Sequence, residues 1–131
     1  MPISEQTHSQ IMAVLQKMTE AVREKDIEKI LGLVDPRVAA LGPGPSGRVV
    51  GKEDLRRRLE RDFAYAGSVV VDLADIRISA EGTIAWVMAD VTCHTVVDGA
   101  PQTRNGRLTA VLRGTGHAWV FAQVHLSSPV A

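Results

Sequence analysis

The stretch Thr83-Ile84-Ala85-Trp86-Val87-Met88-Ala89-Asp90-Val91-Thr92-Cys93-His94-Thr95-Val96-Val97-Asp98-Gly99 decides the fold. Its side chains alternate in kind. Ala85, Val87, Ala89, Val91 and Cys93 share one parity; Trp86, Met88, Asp90, Thr92 and His94 share the other. That two-residue period is the period of a strand. Asp98-Gly99 then ends the run, and Asp-Gly between two alternating segments is a strong hairpin signal. The next segment therefore returns antiparallel to this one.

The same pattern extends in both directions. Four strands are expected, at about Ser68–Ser79, Thr83–Val97, Gln102–Arg113 and His117–Ser127. Glu81-Gly82, Asp98-Gly99 and Gly114-Thr115-Gly116 join them. In the first strand Val69, Val71 and Leu73 share one parity, whereas Ile76 and Ile78 share the other. A bulge near Ala74 explains the switch and curves the sheet.

Upstream the period becomes helical. Ile11, Val14, Leu15, Met18, Ala21 and Val22 mark one apolar face, with Thr7 and Gln10 as a possible capping box. Residues 1–6 are expected to form a flexible tail. Asp26 is a good N-cap for a second helix carrying Ile27, Ile30, Leu31 and Val34, and Pro36 is expected to end it. Val38 to Leu41 reads as a short extended piece. The patch Gly42-Pro43-Gly44-Pro45-Ser46-Gly47 reads as a surface loop. Gly51-Lys52-Glu53-Asp54 opens a third helix, its acidic residues placed where the helix dipole favours them, with Gly67 as C-terminal cap. Helices followed by short hairpins predict one α+β domain over residues 1–131, three helices on the concave face of a curved, mainly antiparallel sheet.

Composition narrows the function classes. Fifteen basic residues balance fifteen acidic ones in 131 residues. A neutral chain has no general electrostatic reason to bind nucleic acid or an acidic membrane. Arg56-Arg57-Arg58 lies among carboxylates and reads as a solvated helix face. One cysteine, Cys93, allows no internal disulfide. No apolar run reaches transmembrane length, so a cytoplasmic protein is expected. His94, His117 and His125 show no dense ligand motif, and neither a metal nor a cofactor is expected.

Four stretches carry a family resemblance: Val22-Arg23-Glu24-Lys25-Asp26-Ile27-Glu28-Lys29-Ile30-Leu31, Gly51-Lys52-Glu53-Asp54-Leu55, Arg107-Leu108-Thr109-Ala110-Val111-Leu112-Arg113, and Trp119-Val120-Phe121-Ala122-Gln123-Val124-His125-Leu126-Ser127. In that order they resemble SnoaL-like members of the nuclear-transport-factor-2-like superfamily, the cystatin-like α+β cone. The resemblance implies a sheet wrapped on a long helix, an inner pocket and a homodimer. It implies no one reaction, because the superfamily holds isomerases, cyclases, dehydratases, hydrolases and non-catalytic adaptors. Where ketosteroid-isomerase-like members carry a tyrosine on the first helix, this chain matches Met18. Where they carry an aspartate base, it has Ala39, Ala40 and Leu41. Gly106 to Arg113 offers no carboxylate for the acid–base role of SnoaL-type cyclases.

Each strand has one aliphatic face and one face mixing aromatic and polar groups. Ligand sites combine apolar walls with a few convergent polar groups. The mixed face is therefore expected to line the pocket and the aliphatic face to meet a second copy, although alternation leaves the reverse assignment open. The expected site has His125 as acid/base, oriented by Asp90, and Arg107 holding an anionic group. Trp86, Met88, Thr109, Gln123, Phe121 and Met18 complete its ligand-binding wall. Three functions follow as expectations: a protein binding a small, partly apolar molecule; an acid–base isomerase, hydrolase or lyase using His125 and Asp90; or a non-catalytic dimerisation module.

Overall fold

The computed structural model describes residues 3–42 and 47–128. Three helices, α1 (Glu5–Glu24), α2 (Ile27–Leu31) and α3 (Lys52–Tyr65), accompany six strands. The strands are β1 (Val34–Leu41), β2 (Arg48–Val50), β3 (Ser68–Glu81), β4 (Ile84–Val97), β5 (Ala100–Gly114) and β6 (Trp119–Ser127). They form one sheet in the order β2-β1-β6-β5-β4-β3. The α+β architecture, with helices on the inner side of a curved, open sheet, is the one the sequence predicts.

The three long hairpins pair antiparallel as expected, Asp90 facing Arg107 and Leu112 facing Phe121 across adjacent strands. Asp98 and Gly99 both adopt positive φ, 51° and 76°, in the β4–β5 turn. That is the geometry for which Asp-Gly is suited. The β3 ladder shifts register between Ala74 and Arg77, and Asp75 stands there at φ 49°. The predicted bulge is present, and it lets Leu73 and Ile76 both turn inward onto the core.

Several local expectations are corrected. The residues 1–6 do not form a tail throughout, because α1 already includes Glu5 and Gln6. Ser4, not Thr7, is its N-cap and accepts from the Thr7 N–H at 3.1 Å. Asp26 does cap α2, through the Lys29 N–H at 3.0 Å. That helix ends at Leu31, well before Pro36, and Val34 already belongs to β1. Pro36 fits within a strand because the β1–β6 ladder is interrupted between Val34 and Ala39. There a missing N–H breaks no regular pairing. β1 runs parallel to β6 and pairs antiparallel with the unpredicted β2. Ala66 rather than Gly67 caps α3. The expected loop at Pro43, Gly44, Pro45 and Ser46 lies outside the described residues.

The core sits between α1 and the sheet. Ile11, Val14 and Leu15 pack with Ala85, Val87, Ala110, Leu112 and Phe121. Ile11 and Leu112 are completely buried. The small alanines allow α1 to approach the strands closely. α3 differs: it packs on α2, β1 and β2 rather than on the long strands. None of its residues is fully buried. Its C-terminal carbonyls have no basic residue of their own in the last turn. Lys25, at the left-handed end of α1, supplies the charge instead, donating from Nζ to the Phe63 carbonyl at 3.0 Å and to that of Ala66.

Candidate functional site

Burial settles which sheet face is concave. Along β4, Ala85, Val87, Ala89 and Val91 are buried, whereas Trp86, Met88 and Asp90 are exposed. The aliphatic face is the inner one, and the mixed face is the outer one. The mixed face therefore does not line the inside of the cone, but two hollows lie along it: one of about 360 Å³ brings together Trp86, Met88, Thr109 and Gln123, and one of about 470 Å³ brings together Asp90 and Arg107. Trp86, Met88, Asp90, Arg107, Thr109, Gln123 and His125 all stand exposed on the outside of the sheet. Trp86 and Met88 keep 46% and 57% of their surface. The physical reason is packing: α1 lies close against β3, and the small inner side chains permit that approach where indoles and long polar groups would not.

Asp90 and Arg107 are cross-strand partners, and His125 is the partner of Thr109, two residues along β5 from Arg107. Register brings the three onto one face. Among the described residues, however, no hydrogen bond or ion pair connects Asp90, Arg107 and His125. Phe121 has the opposite fate. The β5–β6 ladder shifts register between Val111 and Leu112, leaving Ala122 as the extra residue. Phe121 is thereby turned inward and 2% exposed, while Gln123 and His125 face out. Met18 also lies inward, half-buried against the core.

The inner face has a gradient. In the half nearer the Gly82 and Gly116 turns, Ala85, Val87, Ala110, Leu112 and Phe121 are buried with Ile11, Val14 and Leu15 of α1. Toward the Asp98-Gly99 turn it opens: Val71, Cys93, Thr95 and Leu108 are only half-buried. Met18 and Val22 on α1, and Leu55, Leu59 and Phe63 on α3, are half-buried too. Leu55 and Leu59 pack against the edge of the core, as do Met18 and Leu108. Cys93 pairs across strands with Arg104, which shares the inner parity of Leu108 and Leu112. Burial pushes the Cys93 thiol up, against the opposing charge of Arg104. Cys93 is thus a neutral thiol near pH 7, not a thiolate nucleophile. On α3, Arg58 Nε meets Asp62 Oδ2 at 3.0 Å. Among the described residues of β3 to β6, no carboxylate or imidazole shares the parity of the buried inner side chains; Asp35 of β1 is a buried carboxylate.

Sequence reading missed Arg104, although its parity with Leu108 was a usable signal. It also missed two polar clusters. On the outer face, His94 Nε2 is 3.2 Å from Asp72 Oδ2, and its Nδ1 is 3.2 Å from Thr103 Oγ1. These contacts cross three adjacent strands, and Asp72, His94 and Thr103 are all exposed. Asp35, in the interrupted part of β1, is the other. It is 7% exposed, accepts from the Arg37 N–H at 2.8 Å, and meets Arg113 Nε and Nη2 at 2.8 Å each. Its carboxyl is held below the usual range, first by the Arg37 N–H and then by Arg113.

That shift has a signed consequence. A lowered folded-state pKa contributes stability above the unfolded value, about 3.9, and loses it as pH falls through the folded value. Wild-type stability therefore declines as acid is added below about pH 4. Asp35→Asn removes one carboxylate's share of that decline, while Glu28 and Asp54, also lowered, keep theirs. Urea midpoints measured from pH 5 to 2.5 check this. An unchanged pH slope in the variant contradicts it.

Among the described residues, no group of three His, Cys, Asp or Glu side chains is placed to hold a metal ion. No helix among them is long and apolar enough to cross a membrane.

Comparison with known proteins matches this architecture. A nuclear transport factor 2-like superfamily protein from Salmonella enterica superposes with a TM-score of 0.88 at 18% identity, covering 98% of this chain and 95% of that one. A proposed aromatic ring hydroxylase from Novosphingobium aromaticivorans gives 0.91 at 19% identity, with 99% and 94% covered. A ketosteroid isomerase-like protein from Erwinia carotovora gives 0.82 at 17% identity, with 98% and 100% covered. At such identities the likeness shows the fold alone. No curated protein matches the chain at a significant level. The SnoaL-like domain family matches residues 11–131, which takes in all but the first turns of α1, and the chain belongs to that family.

Proposed function

We propose that the chain binds a small, partly apolar molecule in a mouth between α3 and the inner sheet, with an acidic end of that molecule beside Arg104. One observation carries this reading: Leu59 and Phe63 on α3, and Cys93 and Leu108 on the inner parity of the sheet, all remain only half-buried. Apolar surface left wet forgoes about 25 cal/mol per Å², which a ligand recovers. The inner parity of β3 to β6 carries no described carboxylate or imidazole, and the buried Asp35 of β1 is engaged by Arg113, which favours binding over proton transfer. His125 and Asp90 stand outside the cone, so the acid–base reading has no shared cavity for them and a ligand in the mouth.

Cys93, the chain's one cysteine, reports on the mouth. Decanoate is the probe, and alkylation by N-ethylmaleimide is the readout. Saturating decanoate is expected to slow alkylation by about tenfold, because the reagent reaches the thiolate only through free space. Arg104→Gln weakens that protection several-fold. An alkylation rate indifferent to decanoate overturns the reading.

We further propose that the outer sheet face pairs two copies. Ile84, Trp86 and Met88 are all exposed there, an apolar row flanked by Arg77, Asp90 and Arg107. A twofold axis through such a patch covers it with itself. Both charge signs beside the row allow opposite charges to meet across the axis.

A further inference from the structure

A cleft of about 450 Å³ lies at the end of the fold remote from the mouth. Gln10, Ala13, Val14 and Lys17 of α1 form one wall, and the β3–β4 and β5–β6 turns form the other. Its chemistry is one-sided. Lys17 and His117 are its only titratable lining residues, and no carboxylate lines it. Lys17 has no ion-pair or hydrogen-bond partner among the described residues. Trp119 supplies a planar wall. Its indole rests on Gly114, where an added Cβ would come within 3.4 Å of Cζ3. Its Nε1 donates to Gln10 Oε1 at 3.0 Å, which fixes the ring against α1. Gly82 and Gly116 adopt φ of 60° and 95° with open space at their missing Cβ positions, so the turns leave room for a guest.

We propose that this cleft binds a planar aromatic ring bearing a single carboxylate, the ring against Trp119 and the carboxylate at Lys17. A lone ammonium in a cleft without carboxylates selects a monoanion. A fixed indole contributes an apolar face at little entropic cost. The site is separate from the mouth: the strands lie between the two sets of turns, and no lining residue is shared.

Benzoate is the probe, with benzamide as its uncharged counterpart. The chain has two tryptophans, so its indole N–H signals form a two-member NMR set. Benzoate is expected to shift the Trp119 signal saturably and leave Trp86, on the outer face, unmoved. Benzamide binds about fivefold or more weakly, since it lacks the charge-assisted contact. Lys17→Gln, at an exposed position, brings benzoate to the benzamide level. A non-saturating Trp119 shift, an equal response of Trp86, or unchanged benzoate affinity in Lys17→Gln overturns the proposal. Binding in the mouth moves neither the Trp119 signal nor the Lys17 dependence, so the two readings fail separately.

Discussion

Leu112→Ala is expected to lower the unfolding free energy by about 3–4 kcal/mol. Leu112 has no exposed surface and stands where α1, β4, β5 and β6 meet. Truncation there leaves a cavity walled by Ile11, Val87 and Phe121, which are themselves fixed by packing. Leu59→Ala removes the same atoms from α3. It is expected to cost only about 1 kcal/mol, because a half-solvated side chain loses less transfer free energy and leaves no sealed void. Urea denaturation of both variants measures the contrast. Equal losses would show α3 to be as tightly seated as α1, and the mouth would close as an idea.

The second large effect concerns association. Trp86→Glu is expected to convert the proposed dimer to a monomer of 14.1 kDa, with the fold retained because Trp86 is nearly half-exposed in the single chain. A buried carboxylate at a twofold meets its own copy, and like charges brought out of water repel strongly. Sedimentation at micromolar concentration distinguishes the species. A wild-type protein that is monomeric there removes the outer face from consideration as an interface. A Trp86→Glu variant that remains dimeric places the interface elsewhere.

The strands were legible because a period of two and an Asp-Gly turn are purely local signals. The bulge near Ala74 was legible too, since Leu73 and Ile76 break parity in plain view. Ala122 was not, because no glycine or proline marks it and the aliphatic pattern around Val120 and Val124 continues smoothly through it. Its consequence is that Phe121 and His125 share a parity in the sequence but face opposite sides in the fold. β1 was misread because Pro36 signals an end to regular structure, whereas here it occupies a break in the ladder. The choice of face failed for a different reason. Aromatic and polar residues together describe a ligand site, but they equally describe an exposed surface suited to a partner. Only helix placement distinguishes the two, and alternation carries no information about which face α1 covers. The small volumes of Ala85, Ala89 and Ala110 were the available clue, since a closely packed helix needs them.

The inner face, and not the outer one, is the face proposed to receive the ligand. Two methionines stand on opposite sides of that question: Met18 half-buried at the mouth and Met88 exposed on the outer sheet. With ¹³C-methyl methionine labelling, a decanoate titration followed by NMR reads both at once. A saturable shift of the Met18 methyl with Met88 unmoved is the predicted result; a shift of Met88 with Met18 unmoved, or of neither, contradicts it.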